Sequence, residues 1–284
     1  VHLLIFGLGY CGAAVAAQAR AAGMAVTATS RRPDTPAPAG VRMIAFDDAA
    51  QTIASATHVL VTAPPGPEGD PVLARYTEAL RAASAMWFGY LSTTGVYGDR
   101  GGAWVDEDTP PAPQAERSQR RLAAEQAWQD CAAGRPLDLF RVAGIYGPGR
   151  SALDEVRSGR ARRLIRPGHA FGRIHRDDIA GAVLAAIARS PSGTRVLNLS
   201  DDVPAESALV IEEAARLLGV PPPPAIPFDD AYTGMSDMAR SFWADDRRVA
   251  SAKTQAALGR RWLYPSYREG LRAILEQESG SPGQ

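Results

Sequence analysis

The chain has 284 residues, 45% hydrophobic and 22% charged, which is ordinary for a globular protein and allows one large α/β domain or two smaller ones. Lysine plus arginine equals aspartate plus glutamate at 31 each, so the basic excess expected of a nucleic-acid binder is missing. The sequence offers no run of about 18 apolar residues to cross a membrane, and its two cysteines give neither a disulfide framework nor a metal spacing.

The first segment, HLLIF (2–6), is a short continuous apolar run that ends in glycines, as a parallel strand buried on both faces should. Glycines interrupt it at once and no basic segment precedes it, so it reads as a strand rather than a signal peptide, and a reducing cytoplasm is the simplest compartment. GAAVAAQARAAG (12–23) follows as a small-residue helix, then strands at 24–30, 41–46 and 58–65. A helix is predicted over 71–87, a fifth strand over 87–94, and a helix over 119–134 with Gly134 as its stop. PLDLFRVAGIYG (136–147) is the sixth strand and its exit, and RVLNLS (195–200) one strand more. Strands alternating with helices predict a doubly wound parallel α/β sheet, the Rossmann arrangement. Further helices are predicted over 204–219, 245–259 and 264–278, with the proline-rich 220–227 as a stiff connector and 279–284 as a frayed tail.

GLGYCG places Gly7, Gly9 and Gly12 in the spacing G-x-G-x-x-G, after a strand and at the opening of a helix. Gly7 permits the tight turn, Gly9 lets backbone approach a pyrophosphate, and Gly12 permits close helix–strand contact. Tyr10 and Cys11 lie inside this loop, where a helix N-terminus can lower a thiol pKa, although a small packed residue is the plainer reading of Cys11. After the second strand an NAD site should carry an acid for the ribose hydroxyl, but the sequence has Ser30, Arg31 and Arg32. Guanidinium forks pair with a 2′-phosphate that an acid would repel, so NADP(H) is expected in preference to NAD(H). Asp47 is the candidate on the adenine side, and Thr62, Ala63 and Pro64 form the loop expected over the cofactor. His58 stands beside no other ligand type, and no metal site is read.

LSTTGVYGD (91–99) resembles the S-S-x-x-V-Y-G stretch of the extended short-chain dehydrogenase/reductase superfamily, which includes nucleotide-sugar epimerases and dehydratases. VDEDTPPAP (105–113), GIYGPGR (144–150), FGRIHRDDIAGAV (171–183), VLNLSDDVP (196–204) and LGRRWLYPSYREGLRAIL (258–275) resemble further stretches of that family in the same order. The likeness covers nearly the whole chain. It implies a seven-stranded dinucleotide-binding sheet over 1–147 plus about 172–201, and a smaller substrate lobe over about 148–171 plus 202–284. It also implies chemistry by a Ser or Thr, a Tyr and a Lys beside a nicotinamide.

Aligned on VYG, the hydroxyl position is Thr93. An acidic residue eight beyond the family's Tyr is matched by Glu125, which puts Arg117 at the Tyr position and Arg121 at the Lys position. Arginine stays protonated, so Arg121 can still donate to ribose or phosphate, while Arg117 can bind an anion or polarise a carbonyl but not relay a proton. Tyr97 is the other proton-donor candidate, at the top of the sheet. Tyr146, Arg150, Arg173 and His175 are candidates on the substrate side, the arginines for a phosphorylated group. The predicted function is an NADP(H)-dependent oxidoreductase or epimerase-like enzyme on a small-molecule substrate, such as a nucleotide-linked or phosphorylated sugar or another carbonyl compound. The alternative is a catalytically silent dinucleotide-binding sensor or scaffold. The family analogy adds a homodimer through sheet-flanking helices, one of them 117–129.

Overall fold

The computed structural model describes residues 1–31 and 36–280; Arg32 of the expected 2′-phosphate site and the tail 281–284 lie outside the described residues. In chain order the elements begin β1 (His2–Phe6), α1 (Tyr10–Ala21), β2 (Ala25–Ser30), β3 (Arg42–Ala45), α2 (Ala50–Ser55), β4 (His58–Val61), α3 (Pro71–Ala82) and β5 (Trp87–Thr93). They continue β6 (Trp104–Val105), α4 (Glu116–Ala132), β7 (Leu137–Val142), β8 (Gly144–Tyr146), α5 (Ala152–Arg157), β9 (Arg163–Ile165), β10 (Arg173–His175), α6 (Arg176–Ala188) and β11 (Thr194–Leu199). The last are α7 (Ser207–Leu218), β12 (Ala225–Pro227), α8 (Phe228–Tyr232), α9 (Asp237–Trp243), β13 (Arg248–Val249), α10 (Ala252–Leu258) and α11 (Tyr267–Gly280).

Seven strands form one parallel sheet in the order β11-β7-β5-β4-β1-β2-β3, as the alternating pattern predicts. Alternation along β1 explains the two cores. Leu3 and Ile5 face one side with Val15 of α1 and Ile179 and Val183 of α6, while Leu4 and Phe6 face the other with Tyr76 of α3 and Trp128 of α4. The chain runs outward from β1 to β3 and then resumes on the other side of β1 at β4. The direction in which the chain adds strands across the sheet thus reverses between β1 and β4, where a crevice opens at the carboxyl ends. A third core gathers Tyr146, Leu153, Val210, Tyr267, Leu271 and Ile274 from β8, α5, α7 and α11.

Several boundaries differ from the sequence reading. The helix expected over 71–87 ends at Ala82, because Trp87 and Phe88 are drawn into the central sheet. Its N-terminus is capped by Asp70, whose carboxylate accepts from the amides of Val72 and Leu73. The sixth strand stops at Val142, and Gly144–Tyr146 leaves the main sheet to pair with β10. The stop of α4 falls at Ala133, which takes the left-handed conformation at φ 50° ahead of Gly134. Arg135 satisfies orphan carbonyls at the ends of two helices, donating to Ala132 and Cys131 of α4 and to Leu80 and Ala83 at the end of α3. The helix expected over 245–259 begins only at Ala252, since Arg248 and Val249 pair with Trp104 and Val105. The connector 220–227 ends as β12, a strand paired on β9 alone, where a terminal proline is tolerated. The helices α2, α5, α6, α8 and α9 were not anticipated; α2, α5, α8 and α9 are short, and α6 starts inside a stretch read only as a motif.

Candidate functional site

The three glycines of the first loop do three different things. Gly7 has φ +101°, and a Cβ there would lie 2.9 Å from the Thr62 hydroxyl. A Cβ on Gly12 would lie 2.3 Å from the Gly7 carbonyl oxygen, so α1 crosses the end of β1 at a distance only glycine allows. Gly9 caps α1 and would carry a Cβ into open space. The amides of the first turn of α1 thus face an unobstructed approach, which suits an anion at a helix N-terminus. Thr62 fastens the turn, its hydroxyl donating to the Gly7 carbonyl at 2.5 Å, while the Ala63 amide donates to Phe6.

The remaining expected cofactor residues ring this loop. Ser30 ends β2 half-buried and Arg31 follows it exposed. Asp47 is exposed and pairs with Arg75 at 3.8 Å. Tyr10 donates its hydroxyl to the Pro148 carbonyl, and the guanidiniums of Arg150 and Arg176 lie over its ring at 5.7 and 4.9 Å. Cys11 is buried, and burial pushes its thiol up to about 11, so the helix N-terminus does not activate it.

Beside the loop, a cleft of about 620 Å³ lies across the ends of β4, β5 and β7. Its lining includes Pro64, Thr93, Arg117, Arg121, Arg150 and Arg173, all anticipated from sequence. Thr93 accepts from the Gly95 amide at 3.1 Å, and among the described residues its proton has no acceptor. Arg121 donates to the Leu91 carbonyl at 2.7 Å and to the Tyr90 hydroxyl at 3.2 Å, which fixes it at the cleft wall. Arg117 holds its guanidinium carbon over the ring of Phe242, 4.2 Å from the centroid, and the group makes no hydrogen bond or ion pair among the described residues. Arg120 also reaches the lining but pairs with Glu116 at 2.8 Å. Among the described residues the only carboxylate in the lining is Asp245, held by Arg247 at 2.8 Å. The chain's single lysine, Lys253, is engaged far along the surface by Asp106 and Asp108 and takes no part.

Other candidates fall elsewhere. Tyr97 is fully buried, donates to Asn198 Oδ1 at 2.8 Å and is pushed up by burial, so its hydroxyl is engaged away from the cleft lining. His175 is fully buried and caps α6 by accepting from the Asp177 amide; burial pushes it down to about 4 and keeps it neutral. Tyr146 is buried and donates to the Ser266 carbonyl. It lines a second cavity of about 500 Å³, which shares Gly144, Ile145, Arg150, Arg173 and Phe242 with the cleft. Arg173 spans that shared wall, donating to the carbonyls of Phe171 and Ala205.

Sequence reasoning missed Phe171, Phe242, Asp245 and Arg247 of the lining, and nothing in their local patterns marks them. It used Glu125 only as a register mark. That carboxylate is buried and bonds Arg141 through both oxygens, at 2.8 and 3.3 Å, while Ser92 donates to it at 2.5 Å. Ser92 and Arg141 are register partners on β5 and β7, so this group pins α4, with its arginines, to the sheet.

No family model matches the chain. It is similar to Protein YeeZ of Escherichia coli K12, 32% identical over 137 residues, 47% of each chain, so that match spans about half the length of the relative. A 3-diazoavenalumate denitrifying reductase from a Streptomyces species is 29% identical over 211 residues, covering 70% of this chain and 68% of that one. Among solved structures, a conserved protein of unknown function from Silicibacter pomeroyi DSS is 41% identical, with a TM-score of 0.90 over 99% of both chains. A protein from Methylobacillus flagellatus classed as an NAD-dependent epimerase/dehydratase is 25% identical, with a TM-score of 0.74 over 98% of both. The human epimerase family protein SDR39U1, solved with NADPH, shares the fold at 20% identity, with a TM-score of 0.78 over 97% of this chain and 99% of that one. With its seven-stranded parallel sheet, the chain has the Rossmann-type fold of these epimerase/dehydratase-like proteins and is similar in sequence to a reductase over most of its length.

Proposed function

We propose that the protein is an NADP(H)-dependent oxidoreductase or epimerase-like enzyme acting on an anionic carbonyl compound, of which phosphorylated or nucleotide-linked sugars are one class. The observation that carries this reading is the adjacency of two features: an open helix N-terminus at Gly9, and an arginine-rich cleft on the same carboxyl edge of the sheet. The loop fits a dinucleotide, because its close-packed side uses Gly7 and Gly12 and leaves Gly9 clear. The amides at Gly9 and Tyr10 would hold the pyrophosphate, Asp47 the adenine side, and Ser30 and Arg31 a 2′-phosphate; the loop 62–64 would lie alongside. When bound, the nicotinamide supplies or takes the hydride. On this reading 1–147 plus about 172–201 form the dinucleotide lobe, and the rest covers the substrate.

The chain's own residues bind and polarise. Thr93 offers its free proton to the substrate oxygen. Arg117, without a counter-ion, stabilises negative charge developing on that oxygen. Arg121, fixed by Leu91 and Tyr90, keeps a positive charge at the cleft wall. Among the described residues the lining contains no Tyr, His, Lys or Cys, so the proton that completes reduction of a carbonyl comes from water in the cleft. That absence also favours a second reading, a dinucleotide-binding sensor or scaffold without turnover. Titration with NADP+ and NAD+, followed by a hydride-transfer screen with NADPH and carbonyl substrates, separates the two. Tight NADP+ binding with turnover lost in Thr93→Ala supports the enzyme. Tight binding with silence across the screen supports the sensor, and binding of neither dinucleotide overturns both.

A further inference from the structure

We infer that the cleft takes a flat, conjugated or aromatic anion. This rests on the proposed enzyme reading only for where the reaction occurs, not for what binds. Phe242 is 55% exposed, although it lines the cleft. Its ring also borders the second cavity, so it stands at the junction of the two compartments. An exposed phenyl ring at such a junction is an apolar contact surface without a protein partner of its own, apart from the guanidinium lying on it. Phe171, Val142, Ala143 and Ile145 continue the apolar wall.

The polar side of the same cleft is cationic. Among the described residues the guanidiniums of Arg117, Arg121, Arg150 and Arg173 form no ion pair, and the one lining carboxylate is already held by Arg247. The Arg117 guanidinium, over the Phe242 ring and without an ion pair among the described residues, has its N–H donors available to an anion. Among the described residues the lining has no Asn or Gln, Ser92 is spent on Glu125, and the remaining hydroxyls are those of Thr93, Thr94, Ser118 and Ser241. A planar acid places its body on Phe242 and Phe171 and its charge on Arg117. A carboxylate and a phosphate monoester share this chemistry.

The test is equilibrium binding to the full chain, with and without saturating NADP+, using trans-cinnamate, phenyl phosphate, neutral cinnamamide and UDP-glucose. Cinnamate or phenyl phosphate should bind about tenfold or more tightly than cinnamamide, and the preference between the two anions identifies the acid. Phe242→Ala and Arg117→Gln should each weaken the anion about tenfold and leave NADP+ affinity within about twofold; Phe242→Trp should retain binding. Both residues are exposed, so these variants fold. UDP-glucose binding more tightly than either aromatic anion, cinnamamide matching them, or anion affinity unmoved in both variants overturns the inference. Failure of NADP+ to bind while the aromatic anion still does would sink the cofactor reading and leave this one standing.

Discussion

Replacing Glu125 by Gln tests what holds α4 to the sheet. The carboxylate is 1% exposed and its partner Arg141 6%, and the pair is bonded through both oxygens. The substitution keeps the shape and removes the charge. Arg141 then remains buried over the Tyr97 ring at 4.8 Å with no counter-ion. Breaking a buried pair from one side costs about 3–5 kcal/mol, and an isosteric change falls at the lower end, about 3 kcal/mol. For a chain of this size each kcal/mol moves Tm by about 2–4 °C, so a fall of roughly 6–12 °C is expected. Thermal melts and urea titration read it, with the urea slope unchanged. The double variant Glu125→Met/Arg141→Met buries no charge and should recover most of the loss. A single variant within about 1 kcal/mol of the parent, or a double variant no better than the single, would refute the assigned role of the pair.

Gly12→Ala puts a methyl group 2.3 Å from the Gly7 carbonyl oxygen and should cost about 1–3 kcal/mol or more, whereas Gly9→Ala meets open space and should stay within about 1 kcal/mol while weakening NADP+ binding; equal stabilities in urea would remove the close-approach argument. With its thiol near 11, Cys11 is about one part in a thousand thiolate at pH 8, and iodoacetamide should label it far more slowly than a small free thiol; rapid labelling of Cys11 in the native protein would contradict this. Burial raises the Asp201 carboxyl to about 8, against an ordinary value near 4. Its contribution to stability is therefore fully present below about pH 4 and lost as pH rises through about 8. Asp201→Asn should gain on the parent at pH 8.5 and not at pH 4, and urea midpoints with no such crossover would count against it. Arg31→Glu should lower the NADP+ to NAD+ affinity ratio, and an unchanged ratio would end Arg31's proposed part in cofactor choice.

The parts of this protein legible in its sequence are those encoded over short spans. The apolar run of β1, the positive-φ demand at Gly7 and the glycine where α1 crosses the strand are local, so spacing alone exposes them. Periodicity and order likewise gave the sheet and the register that brings Arg117 and Arg121 to the cleft. The fate of Tyr97 and His175 was not local. Each was withdrawn from the cleft by a partner or a burial that only assembled elements supply, Asn198 on β11 for the one and the cap of α6 for the other. Phe242 and Asp245 reach the cleft from more than a hundred residues beyond Arg117, from a segment without motif or strong periodicity. By itself the sequence determined the parallel sheet and its glycine loop, and led to the expectation that arginine stands in place of a proton relay. Tertiary structure decided that these arginines meet an exposed aromatic wall and no free carboxylate, because packing between distant faces, not spacing, sets which charges stay unpaired.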